Sequence, residues 1–312
     1  MRLGLLWIVD DDPGCAAPSH ARIVECAVSA EALGFDAMWI GDRRSRSSSS
    51  PPTAAAIPLA AAAARTRRIR LGASVALFSD HDPLRVAEDF ATLDGISSGR
   101  VELVAGGGLL CDADAEGPDD RERLRENLEL LQRLWRETEV RWSGRFRAGL
   151  DGVRVVPRPV QQPHPPVWLG SGVSARAELA ADLGLPLMLP SLLAPAAELR
   201  ATVDRYRERF ARAGHDGEPQ VGACSLVELR RVEPLASERG RASSAMCGSP
   251  AEIADRIGAA ADALGLDLFL SAFDPSDQQQ PTLEIFAAEA LPALRQARLG
   301  DPGSLAARGA LR

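Results

Sequence analysis

The chain has 312 residues and a mass of 33.2 kDa, with 46% apolar and 25% charged residues, which is ample core material for a globular protein and excludes a disordered or fibrous one. All 36 cations are arginine, set against 43 carboxylates, for a net charge of −7. A chain without lysine has no lysine Schiff base and no Walker-type phosphate lysine, and an acidic chain without a long basic block does not suit a phosphate backbone, so no nucleic-acid partner is expected.

No apolar run reaches the roughly 20 residues of a membrane helix, and the N-terminus reads as a strand without a basic region and cleavage site. No membrane association and a cytoplasmic location are therefore expected. Cys15, Cys26, Cys111, Cys224 and Cys247 are odd in number, widely spaced and without a CxxC pair; His20, His81, His164 and His215 are scattered. Neither a disulfide framework nor a metal site is expected.

Apolar runs bounded by turn residues alternate with helical patterns along the whole chain, which points to βα units and a parallel sheet. The first strand is Arg2–Val9, followed by a helix over about Ser19–Leu33 that stops at Gly34. Phe35–Gly41 is the second strand, the alanine-rich Thr53–Arg65 the second helix, and Ile69–Leu77 the third strand. A third helix opens at Pro83 and runs toward Ile96; the fourth strand is the run RVELVAGG. In the fourth helix, Leu124, Leu128, Leu131 and Leu134 recur at three- and four-residue spacing. Thr138–Pro166 breaks into short β-like pieces with many prolines, too long for an ordinary βα loop, and reads as an insertion. The alternation resumes with PVWLG, a helix from about Ser174 to Leu183, the strand LPLML and a helix over about Ala196–Ala213. A seventh strand lies within Val221–Arg231, a loop covers Val232–Cys247, and a helix runs over about Pro250–Leu264. LDLFLSAF is the eighth strand, and the last helix spans about Thr282–Arg298. Eight strand–helix units predict an α/β (β/α)8 TIM barrel: one domain over residues 1–300, with the insertion at about 138–166 between the fourth helix and fifth strand, and a tail at 301–312.

In such a barrel the chemistry sits at the C-terminal strand ends. The turn GSGVSARAELA follows the fifth strand there. Small residues bring backbone N–H groups close to a ligand, and a helix starting near Ser174 offers its positive end to an anion. On the residues alone, Gly170, Ser171, Gly172, Val173 and Ser174 read either as a cofactor phosphate site or as a plain βα turn with Ser174 as its N-cap.

The segments AEALGFDAMWIGD, RTRRIRLGASVALFSDHDPLRVAEDFATLDGISSGRVELVAGGG, VPRPVQQPHPPVWLGSGVSARAELAADLG and GSPAEIADRI lie in order from Ala30 to Ile257. Together they resemble the bacterial luciferase-like superfamily of flavin- and deazaflavin-dependent barrel enzymes. The resemblance implies a flat ring cofactor against Ala73, Ser74 and Val75 at the third strand end and Gly106 and Gly107 after the fourth, with its phosphate at the turn of Gly170 to Ser174. It also implies a homodimer, for which the second helix and the Trp135-bearing fourth helix offer apolar faces.

Two departures stand out. Where many flavin monooxygenases of the family end the second strand in Glu-His, this chain has Asp42 and Arg43, and a guanidinium cannot cycle a proton near neutral pH. Where flavin mononucleotide members often carry a phosphate-binding arginine, Gly107 stands. Asp42, Arg43 and His81 are the catalytic candidates, His81 because it titrates in the useful range; a surface histidine is the alternative.

Three functions follow. The first is a monooxygenase in which reduced flavin mononucleotide (FMN), supplied by a separate flavin reductase, and O₂ oxygenate a small organic substrate. The second is a deazaflavin-dependent hydride-transfer oxidoreductase, to which the AGGG run without a following arginine is similar. The third is a flavinless, non-catalytic binding protein.

Overall fold

Strands covered on both faces need apolar or small residues at nearly every position, and the barrel segments of this chain supply them. In the computed structural model, residues 1–9, 19–42, 54–75, 81–105, 118–170, 174–229, 245–273 and 279–299 are described. The first half contains β1 (Arg2–Val9), α1 (Ser19–Ala32), β2 (Ala37–Asp42), α2 (Ala56–Arg65), β3 (Arg70–Val75), α3 (Pro83–Ser97), β4 (Val101–Ala105) and α4 (Pro118–Arg136). A hairpin of β5 (Val140–Trp142) and β6 (Leu150–Val153) follows, then β7 (Val167–Gly170), α5 (Ser174–Asp182), β8 (Leu187–Leu189), α6 (Ala196–Ala213) and β9 (Val221–Leu229). The chain continues with β10 (Met246–Gly248), α7 (Pro250–Leu264), β11 (Leu268–Ala272), α8 (Gln279–Ile285), a π-helical turn (Phe286–Ala290) and α9 (Leu291–Leu299).

The parallel order β9–β11–β1–β2–β3–β4–β7–β8 closes on itself because β8 pairs back onto β9, Leu187 with Val221 and Leu189 with Ala223. This is the expected eight-stranded barrel. The insertion stands outside the alternation, its β5–β6 hairpin antiparallel. Two elements differ from expectation. The predicted loop of 232–247 ends in β10, which extends the sheet beside the end of β9. The last helix is not continuous but passes through the π-helical turn, where Phe286 is buried against Phe35 and Phe273.

The insertion is held to the barrel by α4. Trp135, expected on an exposed dimer face, is instead fully buried, its indole N–H donating to the Ala87 carbonyl at 3.0 Å. His164 stacks on it at 5.7 Å. Burial pushes the His164 imidazole down to about 4, and the nearby Arg136 charge lowers it further, against a hydrogen bond to the Pro165 carbonyl that favours its protonation. The ring is therefore neutral at physiological pH and serves packing.

The barrel lumen is filled by a second, smaller core that pairs large side chains with glycines. Trp39 lies over Gly72, where an added Cβ would sit 2.4 Å from the indole; Trp168 and Met188 cover Gly222, and Leu270 covers Gly4. The two indoles meet edge to face at 6.0 Å. Gly72→Ala should therefore lower the urea midpoint by an amount equivalent to about 1–3 kcal/mol through overpacking. Gly258→Ala, on α7 where no atom lies within 4 Å of the new methyl, should raise it by about 0.5–1 kcal/mol. Equal midpoints for the two variants would contradict the packing described.

Candidate functional site

Parallel strands bring all their C-terminal ends to one face: Val9, Asp42, Val75, Ala105, Gly170, Leu189, Leu229 and Ala272. The lumen below that mouth is floored by Trp39 and Trp168. Each tryptophan is followed two residues later by a glycine, Gly41 and Gly170, and residues two apart share a strand face. Glycine therefore stands above each indole at the rim. At Gly170 an added Cβ would make only ordinary contacts, 3.6 Å to Val104 Cγ1 and 3.7 Å to the Ala105 carbonyl oxygen. Packing of the described atoms does not require glycine there, so its small size leaves room for a ligand. Trp39 Nε1 is buried with no hydrogen-bond partner among the described residues.

The turn after β7 leads directly into α5, whose first residue is Ser174. In the first turn of that helix, Arg176 is only 5% exposed and its Nη1 donates to the Gly170 carbonyl at 3.2 Å. A fixed guanidinium thus lies beside a helix N-terminus, and both favour an anion. These residues fit a flat ring with a negatively charged tail: an aromatic floor, a glycine rim, and a positive corner. The arginine was not among the residues singled out from the sequence. Its signal is present, a cation two residues into a helix that follows a glycine-containing turn, but a helix surface is the ordinary place for an arginine.

The expected site residues are distributed as follows. Asp42 ends β2, paired in register with Val9. Ser74 and Val75 end β3, paired with Val104 and Ala105. Ala73 is buried in the layer between the barrel and its helices, so any contact it makes with a ligand in the mouth would run through its backbone. His81 does not share the lumen: with Asp82 it lines a groove between α2 and α3 on the outside of the barrel. Asp82 is the N-cap of α3, accepting from Leu84 N at 2.7 Å and pairing with Arg147 at 3.0 Å. Arg43, Gly106, Gly107, Ser171, Gly172 and Val173 lie outside the described residues.

Two further side chains belong to the lumen side of β9. Cys224 donates its thiol to the Pro190 carbonyl at 3.1 Å, and burial pushes it up to about 12, so it stays a neutral thiol. Four residues on, past Leu226, strand alternation brings Glu228 to the mouth, where it accepts a hydrogen bond from Cys247 at 3.2 Å. It is an ionisable side chain at the C-terminal end of β9. Among the described residues, no group of three or more metal-ligating side chains is present, and no helix is long and apolar enough to cross a membrane.

Comparison with known proteins adds the following. The family model of luciferase-like monooxygenases matches residues 1–231. An F420-dependent glucose-6-phosphate dehydrogenase of Intrasporangium calvum is 30% identical over 321 residues, covering 88% of this chain and 95% of that enzyme. The crystal structure of monooxygenase RslO1 from Streptomyces bottropensis matches with a TM-score of 0.77 at 27% identity, over 94% of this chain and 99% of that one. A type II Baeyer–Villiger monooxygenase from Pseudomonas putida, solved with FMN, shares the fold at a TM-score of 0.73 and 19% identity, over 94% of this chain and 98% of that one.

The positive corner is tested by Arg176→Met, which keeps the aliphatic bulk and removes the charge. Affinity for a phosphate-bearing ring cofactor, titrated by calorimetry, should fall by about tenfold or more, the loss of one charge-assisted interaction, with partial recovery in Arg176→Lys. Unchanged affinity in a folded Arg176→Met protein would place the anion elsewhere.

Proposed function

The chain belongs to the luciferase-like monooxygenase family, and on that premise we propose that it is an oxidoreductase that binds a deazaflavin coenzyme at the barrel mouth and exchanges a hydride with a small organic substrate. The observation that carries this reading is the mouth itself: the glycine-rimmed floor of Trp39 and Trp168 beside the corner of α5 and Arg176. Two features favour a deazaflavin over FMN. The sequence has Gly107 where FMN members of the family often carry a phosphate-binding arginine, and a relative that it matches over 95% of that relative's length is an F420-dependent dehydrogenase.

The chain's own residues divide the work. The indoles and Val104 close the lumen from below and exclude water from the ring's inner face. Helix α5 and Arg176 hold the anionic tail. Oxidation of an alcohol carbon to a carbonyl releases a hydride and a proton; the bound deazaflavin supplies the two-electron acceptor, and Glu228 accepts the proton from the hydroxyl. Arg43 cannot take that proton, since its guanidinium does not titrate near neutral pH.

A second reading is favoured by the likeness to RslO1, a monooxygenase matched over 99% of its chain. In it, reduced FMN from a separate reductase replaces the deazaflavin, O₂ is the co-substrate, and the same floor and corner hold the cofactor.

Titration of the purified protein with deazaflavin F420 and with FMN, each oxidised and reduced, separates the readings. Deazaflavin is expected to bind at least about tenfold more tightly than either form of FMN, and binding should shift its absorbance. Tighter binding of reduced FMN, followed by O₂ consumption, would transfer the assignment to the monooxygenase. Binding of neither would overturn both in favour of the flavinless binding protein.

A further inference from the structure

On the proposed oxidation of an alcohol beside Glu228 rests a narrower assignment of its substrate. We infer that the end of β9 and β11 forms an apolar subsite, and that the alcohol it takes carries compact, uncharged hydrocarbon groups on the carbon that is oxidised. The two strands finish their register at the pair Leu226 and Ala272. Both face the lumen: Ala272 is fully buried in the lumen core, and Leu226, half-buried, packs against that core.

Leu226 stands between two polar groups on its own strand face. Two residues below it, Cys224 turns its thiol onto the Pro190 carbonyl at 3.1 Å, so these polar atoms pair with each other beneath the apolar surface. Two residues above it is Glu228. Same-face neighbours on a strand lie roughly 7 Å apart, so a hydroxyl at the Glu228 carboxylate brings the carbons attached to it down against Leu226. On β11 the lumen face reads Leu268, Leu270, Ala272. The leucines fill the core, and the alanine at the mouth leaves a hollow across from Leu226. Hydrocarbon placed there gains the ordinary free energy of leaving water. A sugar or a phosphate ester would instead surrender its hydration to side chains that return no hydrogen bond. The anion corner of Arg176 stands at the end of β7, on the far side of β8 from this pair, so cofactor tail and substrate do not compete for one place.

Saturation-transfer difference NMR on the full chain, with and without bound deazaflavin, tests the assignment with three probes of similar ring size: cyclohexanol, glucose and glucose 6-phosphate. Cyclohexanol should bind at least about tenfold more tightly than either sugar. Leu226→Gln should weaken cyclohexanol about tenfold, and Ala272→Leu, which fills the hollow, by at least as much. Both should keep the deazaflavin affinity within about twofold of wild type and raise KM for cyclohexanol more than they lower kcat. Should Ala272→Leu fail to fold, because that position is fully buried, the half-buried Leu226 decides. Preferential binding of glucose or glucose 6-phosphate, or cyclohexanol binding that Leu226→Gln does not weaken, would overturn the inference while leaving the cofactor assignment standing. Cyclohexanol binding that Leu226→Gln weakens, in a protein that binds no deazaflavin, would keep the apolar subsite and overturn the hydride-transfer reading.

Discussion

The structure depends on how the barrel lumen is filled. Two tryptophans on opposite sides of the ring, Trp39 and Trp168, need glycine opposite them, and Gly72 and Gly222 supply it. Below the indoles the lumen is closed by a buried carboxylate. Glu102 is paired with Arg2 and Arg70 through one oxygen and accepts from Trp168 Nε1 at 3.2 Å through the other. A buried charge is tolerated only when such partners are in place, and removing one partner leaves it uncompensated. The N-terminal end of the lumen is thereby sealed.

The exclusive use of arginine has structural consequences beyond the absence of lysine chemistry. The planar guanidinium can reach several carbonyls at once, and arginines close helix C-termini throughout the outer layer. Arg100 donates to Ala63, Thr66 and Ile69 after α2; Arg158 grips the carbonyls of Leu134, Trp135 and Glu137 at the end of α4; Arg207 reaches Leu264 and Gly265 after α7. Each places positive charge at the negative end of a helix while satisfying carbonyls that the helix leaves unpaired. Arg176 is placed differently from these. It stands at a helix N-terminus, where its charge is unfavourable to the dipole, and its hydrogen bond to the Gly170 carbonyl keeps it beside the turn.

The order and type of the barrel elements were legible because each strand is an apolar run and each helix carries a turn residue at its boundary. Pro83 and Gly265, for example, stand where α3 begins and α7 ends. What escaped is tertiary. Trp135 lies on the same amphipathic helix as exposed arginines, and it is its contacts with Ala87 of α3 and His164 of the insertion that bury it. His81 follows the third strand and so reads as a mouth residue, yet it lines the outer groove. Ala73 and Ser74 are adjacent in sequence, but strand alternation separates successive residues to opposite faces. The pairing of Trp39 with Gly72 joins two strands, and no local pattern contains it. The Trp-x-Gly triplet shared by β2 and β7 was the available signal for the floor and rim.

On the proposed function, the sealed lumen directs the cofactor to the C-terminal mouth, with its tail at α5. Deuterium exchange of the backbone amides, measured with and without saturating deazaflavin or FMN, tests this most directly. The expected result is slower exchange in peptides spanning the end of β7 and the first turn of α5, with no change at the N-terminal ends of β1, β3 and β4 where Arg2, Arg70 and Glu102 meet. Slower exchange confined to that N-terminal end, or to the α2–α3 groove, would contradict it.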